Sequence, residues 1–363
     1  MALLPVSVIV PTRGEGRYLE AAIRSLAKTE VREILIVSKA RINLASLDTD
    51  GRIKILVRPE AGLSEARNIG ISESSSGIIA FTDDDCTVAE DWPQAALDLF
   101  RDPKVGAVGG PGLTEPEDSW KSKCSGAVLY TRLGTANSVY RYRAISDRPK
   151  AVCEKQLSTC NLSFRRSVLE ELGYFTSLQT CEENELIERI RSAGYDVLYS
   201  PTCIVYHHRR PLFVPFLRQI SRYGKGRAAF ILRFPENLSP VYVAPSILVL
   251  ACLCLPLLCV FLTQFAALLL EMLAVYTIAI AVAALISTQR NRLKLRFTPV
   301  VFSGIAAMHY CYGFSFIIGL FKSAMTQASI SREERLRELM INETHTECSI
   351  NQAKGWRSLF RER

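Results

Sequence analysis

Charge is missing from long stretches of this 363-residue chain. From Val241 to Ser287 the only Asp, Glu, Lys or Arg is Glu271, and from Thr298 to Leu320 there is none. A helix crossing a bilayer needs roughly 20 predominantly apolar residues. The first stretch holds two such spans, about 241–263 and 264–287, and the second holds one, about 298–321. These absences argue against a wholly water-soluble protein.

Other absences narrow the class further. Met1 to Pro5 lacks the basic region of a secretory signal, so the part preceding the spans is expected to stay in the cytoplasm. The eleven cysteines lack paired metal-type spacings, which disfavours a zinc module or a disulfide framework; they read as reduced, mostly buried thiols. Acidic residues are absent between His207 and Arg233, where Arg209, Arg210, Arg218, Arg222, Lys225, Arg227 and Arg233 alternate with Phe213, Phe216, Leu217, Tyr223 and Phe230. The net charge of +8 is therefore partly local. Just before the first span, such a segment reads as an amphipathic helix at an anionic membrane surface. No nucleic-acid module pattern accompanies it, so nucleic acid is not an expected partner.

What the chain does contain is an alternation of strand and helix patterns. Val6–Val10, 33–37, 53–57, 78–82, 105–108, 161–164, 196–200 and 203–206 read as strands. Helical patterns fall at 18–27, 64–72, 93–100, 166–172 and 183–193, with 109–150 left irregular. Alternation of this kind implies an α/β fold with a mostly parallel sheet, whose ligands collect at the carboxyl ends of the strands. At one such end Ile78-Ile79-Ala80-Phe81-Thr82 runs into Asp83-Asp84-Asp85. Three adjacent carboxylates repel one another unless a hard cation or hydrogen-bond donors offset the repulsion. Asp83 and Asp85 are the candidate ligands; capping of the helix near Trp92-Pro93 is the competing reading.

Six motifs in order resemble the family 2 inverting glycosyltransferases, particularly members with a C-terminal membrane region. They are Val6-Ser7-Val8-Ile9-Val10-Pro11-Thr12, Gly62 to Gly70 around Ala66-Arg67-Asn68, Ile79 to Asp85, Cys160-Asn161-Leu162-Ser163-Phe164-Arg165, Cys181-Glu182-Glu183-Asn184-Glu185-Leu186, and Ser200-Pro201 through His207. The resemblance implies a GT-A nucleotide-sugar-binding domain over 1–208. A basic interfacial helix region over 209–237, a membrane region over 238–323 and a charged tail over 324–363 complete the expected organisation. It further implies a divalent metal, Mg or Mn, held by Asp83 and Asp85 with His207 nearby, although His208 is equally competent by chemistry alone. Glu182 and Glu183 fall where the family carries Glu-Asp, so a general base is implied at Glu183, with Glu182 left open. Pro11, Glu15, Arg67, Asp84, Gln219 and Arg222 are the implied donor contacts; the last two lie in Gln219-Ile220-Ser221-Arg222-Tyr223, similar to a Gln-x-x-Arg-Trp element of membrane-bound synthases.

The bland readings are a surface arginine at Arg67, a solvated Glu15, acids complementing a helix dipole at Glu182 and Glu183, and a plain interfacial helix at Gln219 to Tyr223. One departure is plain: the family's Asp after the second strand is replaced by Ser38, which fills that place only in part. Partners implied are a nucleotide-diphosphate sugar, a lipid-linked or glycan acceptor and membrane lipids. The expected setting is a multi-pass cell-membrane protein with its catalytic domain in the cytoplasm. The basic loop Gln289–Arg296 fits that side under the positive-inside rule. The third span could instead be interfacial or re-entrant, because an arginine-rich tail follows it. A non-catalytic subunit of a glycan-assembly complex and a nucleotidyltransferase are the alternatives; the second lacks its Gly-rich basic phosphate loop at Pro11–Gly16.

Overall fold

The computed structural model describes residues 3–14, 16–44, 46–48, 50–176 and 181–325. Glu15 and the charged segment 332–340 therefore lie outside the described residues. The chain begins with β1 (Leu4–Thr12), α1 (Leu19–Ala27), β2 (Val31–Ser38), β3 (Ile53–Val57), α2 (Leu63–Glu73) and β4 (Ile78–Phe81). It continues with β5 (Cys86–Val88), α3 (Trp92–Leu99), β6 (Val105–Gly109), β7 (Gly112–Thr114), α4 (Trp120–Leu129), α5 (Arg132–Thr135) and β8 (Lys150–Ala151). The domain closes with β9 (Leu162–Arg165), α6 (Arg166–Leu172), α7 (Glu182–Ser192), β10 (Asp196–Tyr199) and β11 (Val205–His207). Then come α8 (Val214–Arg233), α9 (Pro240–Phe261) and α10 (Thr263–Arg290), followed by a third long apolar helix, α11 (Leu295–Met325).

The main sheet has the order β3-β2-β1-β4-β9-β6-β10-β8. β3, β2, β1 and β4 pair in parallel, as do β6 and β10, whereas β9 runs antiparallel to both its neighbours. Both faces are covered, so the strands are apolar nearly throughout. Val6, Val8 and Val10 of β1 point to one core with Ile23 of α1 and Trp92 of α3. Ile9, between them, points to the other, with Ile71 of α2, Leu169 of α6 and Ile187 of α7.

A second sheet of three strands, β5-β11-β7, stands beyond the carboxyl end of β4. Its register places His207 opposite Cys86. The Asp triplet lies on the connection between β4 and β5, so it does not cap α3, whose N-cap position is Asp91. The supposedly irregular stretch 109–150 contains the ten-residue helix α4, whose buried residues run almost continuously from Ser122 to Leu129. It shows no apolar stripe because it is wedged between the domain and α10, with the Ser287 hydroxyl donating to the Ala127 carbonyl (2.6 Å).

Three helices are long and apolar enough to cross a membrane: α9, α10 and α11. α11 is set apart by burial, with 44% of its apolar window inside the protein against 11% for each of the others. It packs on α8: the Ser315 hydroxyl donates to Ser221 (2.8 Å) and the Cys311 thiol to the Leu217 carbonyl (3.3 Å). Gly224 of α8 has no room for a Cβ, which would lie 2.8 Å from the Tyr312 carbonyl oxygen. α8 is thus exposed on one side only. Arg218, Arg222 and Lys225 are exposed, but Arg227 turns inward to within 3.8 Å of Glu154 and over the Tyr242 ring. The ten described cysteines are free; four are buried, and Cys254 and Cys259 are exposed on the apolar surface of α9.

Candidate active site

The sheet's carboxyl edge opens into a cleft of about 1080 Å³. Its floor holds Pro11, Thr12, Arg67, Asp83, Asp84, Asp85, Glu182, Glu183 and His207, and its outer wall holds Gln219, Arg222 and Tyr223 of α8. Residues of the long apolar helices complete it: Val241, Tyr242 and Pro245 from α9 and Met308, His309 and Tyr312 from α11. Every described residue of the implied site therefore borders one space.

Asp83 and Asp85 are both half-buried. Burial pushes the Asp83 carboxyl up to about 7, helped by Cys160 and Asp85 and opposed by Arg67 and His207. Asp85 goes the other way, down to about 2, because His207, Arg210 and Arg209 outweigh the burial that would raise it. Two neighbouring carboxylates driven apart in this way are a strained arrangement that a cation would relieve. Asp84 differs from both, since it accepts the Thr12 hydroxyl at 2.5 Å and ties the loop to β1. Burial raises its carboxyl as well.

The two histidines separate cleanly. His207 reaches Asp85 Oδ1 with Nε2 (3.1 Å), whereas His208 turns back to Asp118 (2.7 Å) and stacks on Tyr18. The Arg209 guanidinium lies 2.9 Å from His207 Nδ1. Burial and Arg209 oppose protonation of the ring, but Asp85, at Nε2, outweighs them and pushes His207 up to about 10, so the imidazole carries the charge that lowers Asp85.

Arg67 is not a surface arginine. It is 2% exposed, donates to Glu182 Oε1 (2.5 Å) and Thr159 Oγ1 (3.0 Å), and lies 4.0 Å from Asp83. This pairing distinguishes the two glutamates at the start of α7. Glu182 is buried and engaged by Arg67, whereas Glu183 is half-buried with Arg141 Nη1 at 3.6 Å. Burial raises the Glu183 carboxyl, Glu182 adds to this, and Arg141 and Arg67 oppose it. A carboxylate of raised basicity facing a cleft suits proton abstraction.

Arg141 was hidden from sequence reasoning as one basic residue among several in the irregular stretch. Two backbone carbonyls, of Lys155 and Glu154, accept from it at 2.9 Å and fix its direction. Gln219 donates to the Tyr223 hydroxyl (2.9 Å), so the Gln219-to-Tyr223 element faces the cleft as a unit. Ser38 does not reach it: the side chain is buried and closes a turn by donating to the Ala40 carbonyl (2.7 Å).

Residues 7–173 match the family model described as Glycosyl transferase family 2. This part of the chain carries a domain of that family. Among curated relatives, a "Pre-mycofactocin glycosyltransferase" from Mycobacterium tuberculosis is 24% identical, over 66% of this chain and 50% of that protein. "Glycosyltransferase AglE" from Haloferax volcanii is 27% identical over 61% and 72%, and an "N-acetylglucosaminyltransferase" from Rhizobium meliloti is 28% identical over 65% and 59%. The alignment thus spans only half the length of the first of these relatives. A solved mannosyltransferase from Pyrobaculum calidifontis, in complex with GDP-Man and Mn2+, superposes with a TM-score of 0.63 over 88% of both chains at 18% identity. That likeness fixes the GT-A fold, with its mostly parallel sheet flanked by helices.

Proposed function

We propose that this glycosyltransferase is an inverting, membrane-attached enzyme that moves a sugar from a nucleotide-diphosphate donor to a lipid-linked or glycan acceptor at the cytoplasmic membrane face. One observation carries the reading: Asp83, Asp85 and Glu183 share a cleft whose far wall is built by α9 and α11. An acceptor embedded in the bilayer would meet the donor without leaving the membrane. The alternatives with a soluble glycan acceptor differ only in what enters along that wall.

A divalent ion, Mg or Mn, fits the donor set of Asp83 and Asp85, whose oxygens lie close enough together to share one ion. His207 fits less directly, since the Nε2 proton that faces Asp85 would have to be lost first. When bound, the metal supplies positive charge to a departing diphosphate, where it counts most in the transition state. In this reading Glu183 takes the proton from the acceptor hydroxyl as that oxygen attacks the anomeric carbon, giving inversion in one displacement. Arg141 orients Glu183. Pro11, Asp84, Gln219 and Arg222 border the donor, and Arg67 acts through Glu182 rather than on the donor itself.

The α10–α11 connection supports the cytoplasmic face. It carries Arg290, Arg292, Lys294 and Arg296, and Phe297 beside it stacks on Trp120 of α4 (5.2 Å). The domain and the basic loop therefore share one side, which the positive-inside rule assigns to the cytoplasm.

The test is the full chain in lipid nanodiscs with radiolabelled GDP- and UDP-sugars, Mg or Mn, and polyprenyl phosphate or soluble glycan acceptors. Metal-dependent transfer to a membrane-held acceptor is expected. No transfer and no hydrolysis of any donor with either metal would sink the proposal.

A further inference from the structure

Two thiols lie directly behind the Asp triplet. Ligand atoms of Cys86, Cys160 and His207 fall within 4.8 Å of one another, and those of Asp83, Asp85 and Cys86 form a second, overlapping group. Cys86 is 1% exposed and Cys160 5%. The pairing of β5 with β11 sets Cys86 opposite His207. Cys160 enters on the turn before β9, where its carbonyl accepts the Thr82 hydroxyl at 3.0 Å and fixes the turn against the end of β4. The two thiols hydrogen-bond each other and Cys160 also His207, while Asp85 Oδ1 and Ser158 Oγ each lie 3.8 Å from one of them.

We propose that Cys86, Cys160 and His207, with the Asp85 carboxylate beside them, form a second cation site that takes thiophilic divalent ions such as Zn2+ or Cd2+. The donor set is the argument. Two sulfurs and one imidazole within 4.8 Å of one another, with the Asp85 carboxylate against His207 (3.1 Å) and Cys86 (3.8 Å), suit an ion of borderline or soft character. Mg and Mn prefer oxygen and gain little from the sulfurs. The thiophilic ion enters from the cleft, which His207 and Asp85 both border. On binding, both thiols and the His207 Nε2 release a proton to solvent. Because Asp85 touches both His207 and Cys86, a thiophilic ion bound there and a hard ion on Asp83 and Asp85 exclude each other. The exclusion rests on the reading of Asp83 and Asp85 given above; the binding itself does not.

The experiment uses the full chain in detergent after chelator treatment, with no sugar nucleotide present. Cd2+ is titrated while thiolate-to-metal charge-transfer absorption is followed, on wild type, Cys86→Ser, Cys160→Ser and Cys124→Ser. Circular dichroism confirms that each variant is folded. Wild type and the Cys124 control should bind one ion tightly, and each of the other two variants should bind it more than about tenfold more weakly. In a second arm, electron paramagnetic resonance reads free Mn2+: Zn2+ should release bound Mn2+ from wild type and fail to do so in Cys160→Ser at the same concentration. Charge transfer that is absent from wild type, or unchanged in both cluster variants, overturns the site and leaves the two cysteines as core packing. Mn2+ that binds but is not released by Zn2+ overturns the exclusion. Failure of any Mn2+ to bind would instead strike at the reading of Asp83 and Asp85, while the Cd2+ arm still decides the thiol site.

Discussion

Removing the Arg67 guanidinium should cost stability before it costs anything else. Arg67→Met takes away the 2.5 Å ion pair to Glu182 and the 3.0 Å bond to Thr159, and leaves Glu182, 5% exposed, without its cation. Breaking one side of a buried pair destabilises by about 3–5 kcal/mol, mostly because the remaining charge is stranded. For a domain of this size each kcal/mol moves the midpoint by roughly 2–4 °C, so a fall of about 6–20 °C is expected. The fluorescence of Trp92 reports it, because that side chain is buried in the domain and donates to Asn161 (2.8 Å). The double variant Arg67→Met/Glu182→Gln should recover much of the loss, a coupling of at least about 2 kcal/mol in the mutant cycle. A single-variant loss below about 1 kcal/mol, typical of exposed pairs, would refute the reasoning. So would a double variant that falls by the full sum of the two singles.

Three further outcomes follow from other parts of the molecule. Glu33 is buried at the sheet edge, and Lys54, Ser7 and Ser75 outweigh the burial that would raise it, holding its carboxyl at about 2 against an ordinary 4.5. This depressed value contributes about 3 kcal/mol at roughly 1.4 kcal/mol per pH unit, present above pH 4.5 and lost as the pH falls towards 2. Glu33→Gln should thus destabilise at pH 7 and matter far less near pH 2, which denaturant unfolding at the two pH values would check. At Gly313 of α11 a Cβ would collide with the Pro245 carbonyl of α9. Gly313→Ala should lower the thermal midpoint in detergent by the equivalent of about 1–3 kcal/mol, and an unchanged midpoint would contradict the close packing of these helices. Finally, Arg141→Leu removes the cation that lowers Glu183, so the acid limb of the pH–rate profile should move to higher pH; a limb that stays in place would show that Arg141 does not orient a titrating base.

The fold was legible wherever a residue's own chemistry sets its environment. β-branched runs at Val6–Val10 and Ile53–Val57 became strands, and the two uncharged stretches became the three long apolar helices. The antiparallel insertion of β9 between β4 and β6 was not legible, because strand direction is a property of the pairing and not of Leu162 to Arg165. α4 was missed because a helix buried nearly all round has no polar face to give it a period. Within the site, the residue types at Asp83, Asp85 and Glu183 marked them as candidates, and the structure brings them to one cleft. What separated Glu183 from Glu182, His207 from His208 and Arg67 from a solvated arginine was the identity of long-range partners, 115, 90 and 92 residues away in the cases of Glu182, Asp118 and Thr159. No local pattern carries that information.

In the proposed mechanism Asp85 and Glu183 divide the labour, the first holding the metal and the second taking the proton. The deciding measurement compares Asp85→Ala and Glu183→Gln with wild type, first for Mn2+-dependent binding of a sugar nucleotide by calorimetry and then for transfer. Asp85→Ala should lose the metal-dependent part of donor binding. Glu183→Gln should keep donor binding close to wild type and lose about 10²–10⁴-fold in transfer, the usual contribution of a general base. Transfer by Glu183→Gln at the wild-type rate, or metal-dependent donor binding that survives in Asp85→Ala, would contradict it.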